Sequence, residues 1–475
     1  MLANIKSVYF IKLVFSKIDE KRKLNIVKYN KSLQNILSIK LINYIFISNK
    51  YIVYEENGIG KEYDCSNDEL LYIGQYKNGE RNGKGKEYYN NKVVFEGEYL
   101  NGKRNGKGIK YDIDKRKVLF EGQYLNDKRW NGIGKKFDKN SLYFEGEYLN
   151  GKLWNCKYSL YDEVYKLEQG KGFFCDYDKE NIYIGEYLNG ERNGKGKEYN
   201  KYNVDKLKFE GEYLNGKRNG KGKEYNIDGD LSFEGEYKNG KRWNVIGKSE
   251  LNNLYKLENG TGKVKEYNPD NELIFEGEYL NGEKNGFCKE YSAYEGFEGE
   301  YLNGKRNGKG KEYYNGKLEF EGEYLNDERN GKGKEYHYNG KLEFEGEYLY
   351  GYKLIGKYYI NEKLEYEGEF RYNKKWNGKG YDENGNIIYE LINGNGKVKE
   401  YNKGGKLEFE GEYLNGKKNG KGKEYDDEGK LEFEGEYLND KRNGKGKEYD
   451  NEGKLKFEGE YINNKKVEQS FCLII

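Results

Sequence analysis

The residue with the clearest chemical signature is Cys472, which begins the string Cys472-Leu473-Ile474-Ile475. This C-a-a-X pattern allows transfer of a prenyl group to the cysteine sulfur, and a terminal Ile is nearest to the geranylgeranyl class. Lys465 and Lys466 lie just before it and would add electrostatic attraction to an anionic membrane. The alternative is that residues 467–475 form a last apolar strand at the far edge of a sheet.

A second chemical feature is a pair of basic residues that recurs after Asn-Gly or a similar dipeptide. If the repeated segments stack, these pairs line up as a basic ridge for anionic lipid head groups or an acidic partner. Acidic residues interrupt the ridge at equivalent positions, namely Glu80, Glu191, Glu283 and Glu328. The basic residues are Lys103, Arg104, Lys217, Arg218, Lys241, Arg242, Lys305, Arg306, Lys417, Lys418, Lys441 and Arg442.

Residue types that carry enzymatic chemistry are scarce. The single histidine, His337, lies between two tyrosines and is expected to face solvent, so no Ser-His-Asp arrangement is available. No metal-ligand spacing occurs, and the N-G-K-G-K runs lack the pattern of a phosphate-binding loop. The sequence therefore predicts a protein that is not an enzyme and has no cofactor and no metal site.

The elements that must position these residues are repeats. Leu318 to Tyr336 reads LEFEGEYLNDERNGKGKEY, and Leu431 to Tyr449 is almost identical. Adjacent copies are about 22 to 26 residues apart, a period typical of solenoids and arrays. The core pattern, [FY]-x-G-[EQ]-[YF], starts at Tyr72, Phe95, Phe120, Phe144, Tyr183, Phe209, Phe233, Phe275, Phe297, Phe320, Phe344, Tyr366, Phe409, Phe433 and Phe457.

Each repeat is predicted to be a β-hairpin. Phe320, Gly322 and Tyr324 alternate with polar residues, which is the period of a strand. Asn-Gly dipeptides supply the turn, and Lys332 to Tyr336 forms the second arm. One hairpin cannot bury its own rings, so neighbours must stack.

The repeat resembles the MORN repeat, whose pattern is roughly Y-x-G-x-(W/Y)-x-N-G-x-x-x-G-x-G. The match is nearly complete from Phe95 to Gly108 and extends over about residues 57 to 464, with Tyr where the family often has Trp. The resemblance implies an elongated single-layer array of stacked antiparallel β-hairpins, a mainly β, solenoid-like ribbon. It also implies a scaffold associated with phosphoinositides, membranes or the cytoskeleton.

Two sets of aromatic residues are candidates for partner binding. The second ring of the repeat would form an aromatic platform, or groove, for a protein partner: Tyr99, Tyr213, Tyr301, Tyr324, Tyr413 and Tyr437. Three intervals are too long and each contains a Trp-Asn pair followed by G-x-G, which predicts three divergent hairpins beside about 15 regular ones. Their tryptophans, Trp154, Trp243 and Trp376, are candidate docking points, with plain sequence drift as the alternative.

The chain divides into residues 1–50, the array of residues 51–464 and a tail of residues 465–475. Residues 1–50 lack the repeat and predict a helical cap on the first hairpin, with helices over Leu2 to Val14, from a Ser16 cap through Val27, and from a Ser32 cap. In the last helix Leu33, Ile36, Leu37, Leu41, Ile45 and Phe46 would point inward. Leu13 to Glu20 also has a weak similarity to F-box-like adaptors that recruit a ligase, although the usual Leu-Pro is missing.

The composition sets further bounds. Lys+Arg 85 against Asp+Glu 83 leaves a net charge of +2, so no nucleic-acid partner is predicted. Five cysteines without a CxxC pair indicate a reduced, cytoplasmic protein. Peripheral attachment to a membrane or to the cytoskeleton is compatible with this location. Hydrophobic residues are only 35%, but 52 Tyr and 21 Phe supply large rings for a core. The oligomeric state and the identity of the partner are not determined by the sequence.

Overall fold

The computed structural model describes most of the chain. It describes residues 15, 20–28, 30–37, 39–55, 58–65, 67–113, 117–138, 141–160, 163–177, 181–200, 203–226, 229–247, 255–268 and 272–467. Two compact units are present, residues 48–288 and residues 1–47 together with 289–475. The predicted fold class, mainly antiparallel β-hairpins after a short helical segment, is confirmed.

The described strands form four sheets, and in each sheet the strands lie in chain order. The first sheet contains β1 Lys50–Tyr54, β2 Ile59–Asp64, β3 Leu70–Lys77, β4 Glu80–Tyr89, β5 Lys92–Leu100, β6 Lys103–Tyr111, β7 Val118–Leu125, β8 Lys128–Asp138, β9 Ser141–Leu149, β10 Lys152–Leu160 and β11 Glu163–Leu167. The second contains β12 Gly172–Tyr177, β13 Asn181–Leu188, β14 Glu191–Asn200, β15 Asn203–Leu214, β16 Lys217–Tyr225, β17 Leu231–Lys238, β18 Lys241–Gly247 and β19 Tyr255–Leu257.

The remaining strands follow the same order. The third sheet contains β20 Gly262–Tyr267, β21 Leu273–Leu280, β22 Glu283–Tyr291, β23 Glu295–Leu302, β24 Lys305–Tyr314, β25 Lys317–Leu325, β26 Glu328–Tyr336, β27 Leu342–Leu349, β28 Tyr352–Ile360, β29 Lys363–Arg371, β30 Lys374–Tyr381 and β31 Ile387–Leu391. The fourth contains β32 Gly396–Tyr401, β33 Leu407–Leu414, β34 Lys417–Tyr425, β35 Leu431–Leu438, β36 Lys441–Tyr449, β37 Leu455–Ile462 and β38 Lys465–Lys466.

In the repeat that starts at Phe95, the hairpin turn uses the first of the two Asn-Gly dipeptides. Asn101 and Gly102 both have positive φ, 51° and 78°, as a two-residue type I′ turn requires. The Gly102 N–H donates to the carbonyl of Arg81, 2.9 Å away in the preceding hairpin. Because Lys103 already begins β6, the second Asn-Gly lies inside that strand, at a bulge that separates the Gly97 and Tyr99 pairings. The second arm is therefore longer than the sequence predicted.

Sheets end in the three long intervals of the sequence. A single bridge joins Glu258 to Thr261, and β19 and β20 then separate. A Cβ placed on Gly262 would lie 2.4 Å from the Lys256 carbonyl oxygen, so only glycine allows this close crossing. The equivalent glycines at the other two breaks are Gly172 and Gly396.

The helical segment differs in detail from the prediction. Helices α1, α2 and α3 span Glu20–Val27, Lys31–Ile36 and Leu41–Ser48. The side chain of Asn30, not Ser32, caps α2 by accepting from the Leu33 N–H at 3.0 Å. Leu41 begins a separate helix and is 75% exposed, which corrects its predicted inward position. The predicted helix over residues 2–14 lies outside the described residues.

The helices also have a contact that the sequence did not predict. Phe46 is buried, with its ring centroid 5.6 Å from that of Tyr352 and 5.2 Å from that of Tyr372. Asn43 donates to the hydroxyl of Tyr350 at 3.2 Å. The sequence signal was tyrosine at hairpin-turn positions that elsewhere hold Asn or Lys. The prediction placed these helices on the first hairpin, and the similarity to F-box-like adaptors stays a prediction.

Candidate functional site

The interior of most regular hairpins is an aromatic ring laid over two glycines, and Cys156, Val245 and Cys288 replace the second glycine in three of them. The Phe209 ring covers the paired residues Gly211 and Gly222, where an added Cβ would lie 2.6 Å from the ring on either strand. The ring of Tyr213 meets that of Phe209 edge-on, at a centroid distance of 5.7 Å. This edge-to-face geometry is the favoured one for aromatic pairs. The glycines are needed because the ring occupies the space that their side chains would take.

The predicted aromatic platform is therefore part of the core. Tyr99, Tyr213, Tyr301, Tyr324 and Tyr437 are between 3% and 5% exposed, and Tyr413 is half-buried. Their position is explained by the strand period, which places each of them on the same face as the buried Phe and Gly of its own hairpin. In these hairpins the rings are not an accessible groove, and a surface for a partner must lie elsewhere.

A ladder of alternating charges runs beside the rings. Glu224 receives hydrogen bonds from Arg218 at 3.2 Å, from the Tyr237 hydroxyl at 3.0 Å and from Arg242 at 2.7 Å. Arg242 also donates a hydrogen bond to Glu266 at 2.8 Å. Each arginine also stacks on the ring of its own hairpin, and the Arg218 Cζ lies 4.0 Å from the Phe209 ring centroid. One carboxylate thus joins two successive hairpins.

The same ladder is found in several parts of the chain. Its rungs are Glu62–Arg81–Glu87–Arg104, Arg192–Glu198–Arg218–Glu224–Arg242–Glu266, Glu290–Arg306–Glu312–Arg329–Glu335–Lys353 and Lys418–Glu424–Arg442. Burial raises the pKa of the Glu224 carboxyl, but Arg242, Arg218 and the Tyr237 hydrogen bond outweigh burial, so its pKa lies below the ordinary value. Glu87 and Glu424 are shifted in the same direction by their own basic partners. These carboxylates are charged at neutral pH, and their charge holds neighbouring hairpins together.

The structure separates the two members of each Lys-Arg pair. Lys103 and Arg104 are the first residues of β6, not turn residues, and successive strand residues face opposite sides. Arg104 is turned inward, over the Phe95 ring and against Glu87. Lys103, Lys217, Lys305 and Lys441 are exposed, and Lys305 lies 4.0 Å from Asp327. Lys241 is half-buried and pairs with Glu283 at 2.8 Å. The arginines are occupied by the ladder, so a basic edge can consist only of the lysines.

The face opposite the rings carries lysines and glutamates in cross-strand pairs. Examples are Lys223 with Glu234 at 3.7 Å and Lys265 with Glu276 at 2.9 Å. This face lines two grooves. One, of about 1200 Å³, is lined by residues drawn from Ile388 to Val467, and the other, of about 830 Å³, by residues drawn from Tyr165 to Glu236. In both grooves glycines lie between walls of lysine and glutamate. These are open surfaces of mixed charge with bare backbone between the charged rows.

The three tryptophans of the divergent hairpins lie next to the sheet breaks. The Trp154 carbonyl accepts from the Gly170 N–H at 2.7 Å, and the next side chain, Asn155, accepts from the Gln169 N–H at 2.9 Å. Trp243 and Trp376 make the equivalent carbonyl contacts, at 2.7 and 2.8 Å. All three rings are half-buried, so each contributes to the local packing and keeps some exposed surface. Their role as docking points stays a prediction.

One departure from the ladder was missed at the sequence level. Lys110 and Lys136 occupy the position of the ladder glutamate, because the strands read G-I-K-Y and G-K-K-F instead of G-K-E-Y. Arg129 therefore lies between two lysine positions instead of two glutamates. The replacement of glutamate by lysine is visible when the repeats are aligned. The sequence does not indicate, however, that this position faces the interior of the hairpin.

Other candidate residues are placed as follows. Cys472 and its neighbours lie outside the described residues. His337 is half-buried rather than facing solvent, and its Nε2 finds no hydrogen-bond partner among the described residues. Within that part of the chain, no cluster of His, Cys, Asp or Glu could hold a metal ion, and no helix is long and apolar enough to cross a bilayer.

A family model decides the identification. The MORN repeat model matches ten stretches, residues 72–93, 95–114, 183–203, 209–231, 233–244, 275–293, 297–317, 320–341, 409–430 and 433–454. The chain is a MORN-repeat protein. Each matched stretch begins at a repeat core, whereas the cores at Phe120, Phe144, Phe344, Tyr366 and Phe457 and most of the three divergent intervals are not matched. MORN repeats are generally non-enzymatic, repeat-based interaction scaffolds.

Other comparisons add little to the family assignment. No curated protein matches this MORN-repeat chain. Among solved structures, S. aureus TarM in complex with fondaparinux, alpha-GlcNAc-glycerol and UDP matches at 14% identity and a TM-score of 0.15, covering 33% of this chain and 27% of that one. BamB from Moraxella catarrhalis matches at 9% identity and a TM-score of 0.18, covering 62% and 93%. At these TM-scores the two likenesses carry no argument.

Proposed function

We propose that this MORN-repeat protein is a non-enzymatic cytoplasmic scaffold that binds a protein partner along the lysine and glutamate face of its sheets. The observation that supports this proposal is which side chains lie inside the hairpins and which remain on the open face. Rings and arginines are used inside the hairpins, whereas the opposite face presents open grooves of about 1200 and 830 Å³. A partner segment carrying both charges would meet complementary rows there, which favours specificity and register.

The test compares the groove with a neighbouring surface. Lys421→Glu together with Lys445→Glu inverts two exposed charges that line the larger groove. Proximity labelling and pull-down should then lose the main partner, with affinity reduced about tenfold or more, which corresponds to about 1.4 kcal/mol. Lys305→Glu together with Lys441→Glu is the matched control, because it reverses two exposed lysines of the same unit outside the groove. Equal capture by the groove variant and the natural chain would contradict the proposal.

A second candidate function is peripheral contact with an anionic membrane. It is favoured by the exposed lysines at the start of second strands, Lys103, Lys217, Lys305 and Lys441. Changing these four to Glu should reduce sedimentation with anionic liposomes, and the natural chain should lose sedimentation as salt increases. Four similar changes on the groove face, at Lys223, Lys311, Lys421 and Lys445, are the control. The arginines are unsuitable for this test because their loss would disturb the ladder.

Prenylation at Cys472 would strengthen the same membrane contact independently of the exposed lysines. Its support is the C-a-a-X string and the two basic residues before it, Lys465 and Lys466, both of which are exposed. Cys472→Ser should move the protein from the membrane fraction to the cytosol in cells. An unchanged distribution would remove this contribution and leave the scaffold proposal intact.

A further inference from the structure

The departure around Phe120 reverses the charge of the ladder. Lys110 pairs with Phe120 across the β6 and β7 register, as Glu198 pairs with Phe209. At the regular position Glu198 accepts from both the Tyr213 hydroxyl and Arg218. Lys110 therefore occupies a position where the two groups that donate to the regular glutamate, a tyrosine hydroxyl and an arginine, face a lysine instead.

The neighbours of Lys110 keep their donor groups. Arg129 lies over Phe120, with its Cζ 5.0 Å from the ring centroid, and donates to the Tyr148 hydroxyl at 3.3 Å. Tyr124 is only 4% exposed, and its hydroxyl finds no hydrogen-bond partner in the part of the chain that the structure describes, as is also the case for Tyr324, Tyr348 and Tyr437. Neither Lys110 nor Arg129 has a carboxylate within ion-pair distance among those residues. Lys136 differs, because Asp176 lies 3.5 Å from its ammonium group.

This arrangement has an electrostatic cost. Burial lowers the pKa of Lys110, and the charges of Arg129 and Arg104 lower it further, against a smaller opposite effect of Glu87. Partly buried like charges repel each other, and a buried hydroxyl without an acceptor loses the hydrogen bond it had with water. Both costs are relieved if an anion binds between them. Lys110 and Arg129 are half-buried, so solvent can reach them.

We propose that Lys110, Arg129 and the Tyr124 hydroxyl form a binding site for a phosphate-type oxyanion. Arginine presents a planar fork of donors that matches two oxygens of a phosphate, and the lysine adds a second charge. Two cations and a hydroxyl favour a dianion over a single carboxylate. The site lies on the ring face of the sheet, apart from the grooves, and is independent of the proposed scaffold function.

Inorganic phosphate and the full chain test this site. Amide hydrogen exchange in β6, β7 and β8 is measured with and without phosphate, at constant ionic strength with chloride. Protection in these strands should rise about tenfold when phosphate reaches about ten times its dissociation constant. Lys110→Glu restores the regular rung, so it should raise protection without phosphate and abolish the response. A response that survives in this variant, or that chloride reproduces, would overturn the proposal.

Two further variants make the result specific. Lys107→Glu makes the same charge change on the same strand but on the opposite, exposed face, and it should keep the response. Arg129→Gln removes the fork and should lose it. If Lys107→Glu abolishes the response as well, the effect is one of net charge and the site is refuted.

Vesicles identify the source of the phosphate. If vesicles containing a phosphorylated inositol lipid bind the natural chain and Lys110→Glu weakens that binding, the ligand is a lipid head group. If the variant loses only the response to free phosphate, the ligand is a soluble phosphate. Charge reversal at Lys103, Lys217, Lys305 and Lys441 leaves the phosphate response unchanged, which separates this site from the membrane candidate.

Discussion

Around Phe209 and around Phe120 the chain builds the same hairpin with opposite electrostatics. Both rings are fully buried, and both lie over a cross-strand pair of glycines. Beside Phe209, Arg218 lies between Glu198 and Glu224, whereas beside Phe120, Arg129 lies between two lysine positions. The comparison shows that the hairpin forms around its ring and glycines whichever charge stands at the position of the ladder glutamate. A residue at that position can therefore either link two hairpins or take part in binding a ligand.

Loss of the ring should have the largest effect, and it should be similar at the two sites. Phe209→Ala and Phe120→Ala each remove a buried ring, which typically costs about 3–5 kcal/mol of local stability. Hydrogen exchange in β15 and β16, or in β7 and β8, measures the loss hairpin by hairpin. A much smaller loss at Phe120 would mean that the two hairpins do not share one packing mechanism.

Reversal of one ladder charge should reproduce one side of the Phe120 arrangement at Phe209, because Arg218 keeps Glu198 and Arg242 keeps Glu266. Glu224→Lys leaves Arg218 and Arg242 without their shared carboxylate, and breaking such a partly buried pair should cost about 2–4 kcal/mol. Glu224→Gln, which keeps one acceptor and adds no charge, is the control and should cost less. If phosphate then restores protection in β16 to β18 of the Lys variant, an empty glutamate position is enough to create an anion site.

Acid should affect the two hairpins differently. The folded-state pKa of Glu224 lies below its unfolded value, so its contribution is complete above about pH 4.3 and is lost as pH falls through the folded pKa. Hydrogen bonds from Lys466 lower the pKa of Glu448 to about 2, against the smaller effect of burial, so the same loss there extends to about pH 2. The Phe120 hairpin has no glutamate at Lys110 or Lys136 and should lack this loss. Exchange measured between pH 5 and pH 2 gives the comparison directly.

The smallest expected effect concerns one hydroxyl. Tyr237→Phe removes a 3.0 Å hydrogen bond to Glu224 and should cost about 1.5 kcal/mol, as expected for a bond to a charged group. Tyr124→Phe removes a hydroxyl that has no acceptor and should be close to neutral without phosphate. An equal cost at both positions would indicate that Tyr124 does have an acceptor in the folded chain.

Much of the fold was readable from the repeats. The alternation of Phe320, Gly322 and Tyr324 predicted the strands, and the long intervals after Phe144, Phe233 and Tyr366 coincide with the sheet breaks. The Trp-Asn pair is not itself the cause of a break, because Trp130-Asn131 lies inside a continuous sheet. What the breaks share is the short turn followed by a glycine that a neighbouring carbonyl approaches, a feature of tertiary contact.

The candidate sites were less predictable, for a physical reason. The sequence by itself determined the hairpin, the stacking and the family, because period-two patterning and Asn-Gly turns act locally and are repeated many times. Only the tertiary structure decided that Lys103 and Arg104 face opposite sides, since that depends on which Asn-Gly makes the turn and where the bulge lies. It also decided that the tyrosine rings are core and that Lys110 faces Arg129, because both depend on how one hairpin packs on the next.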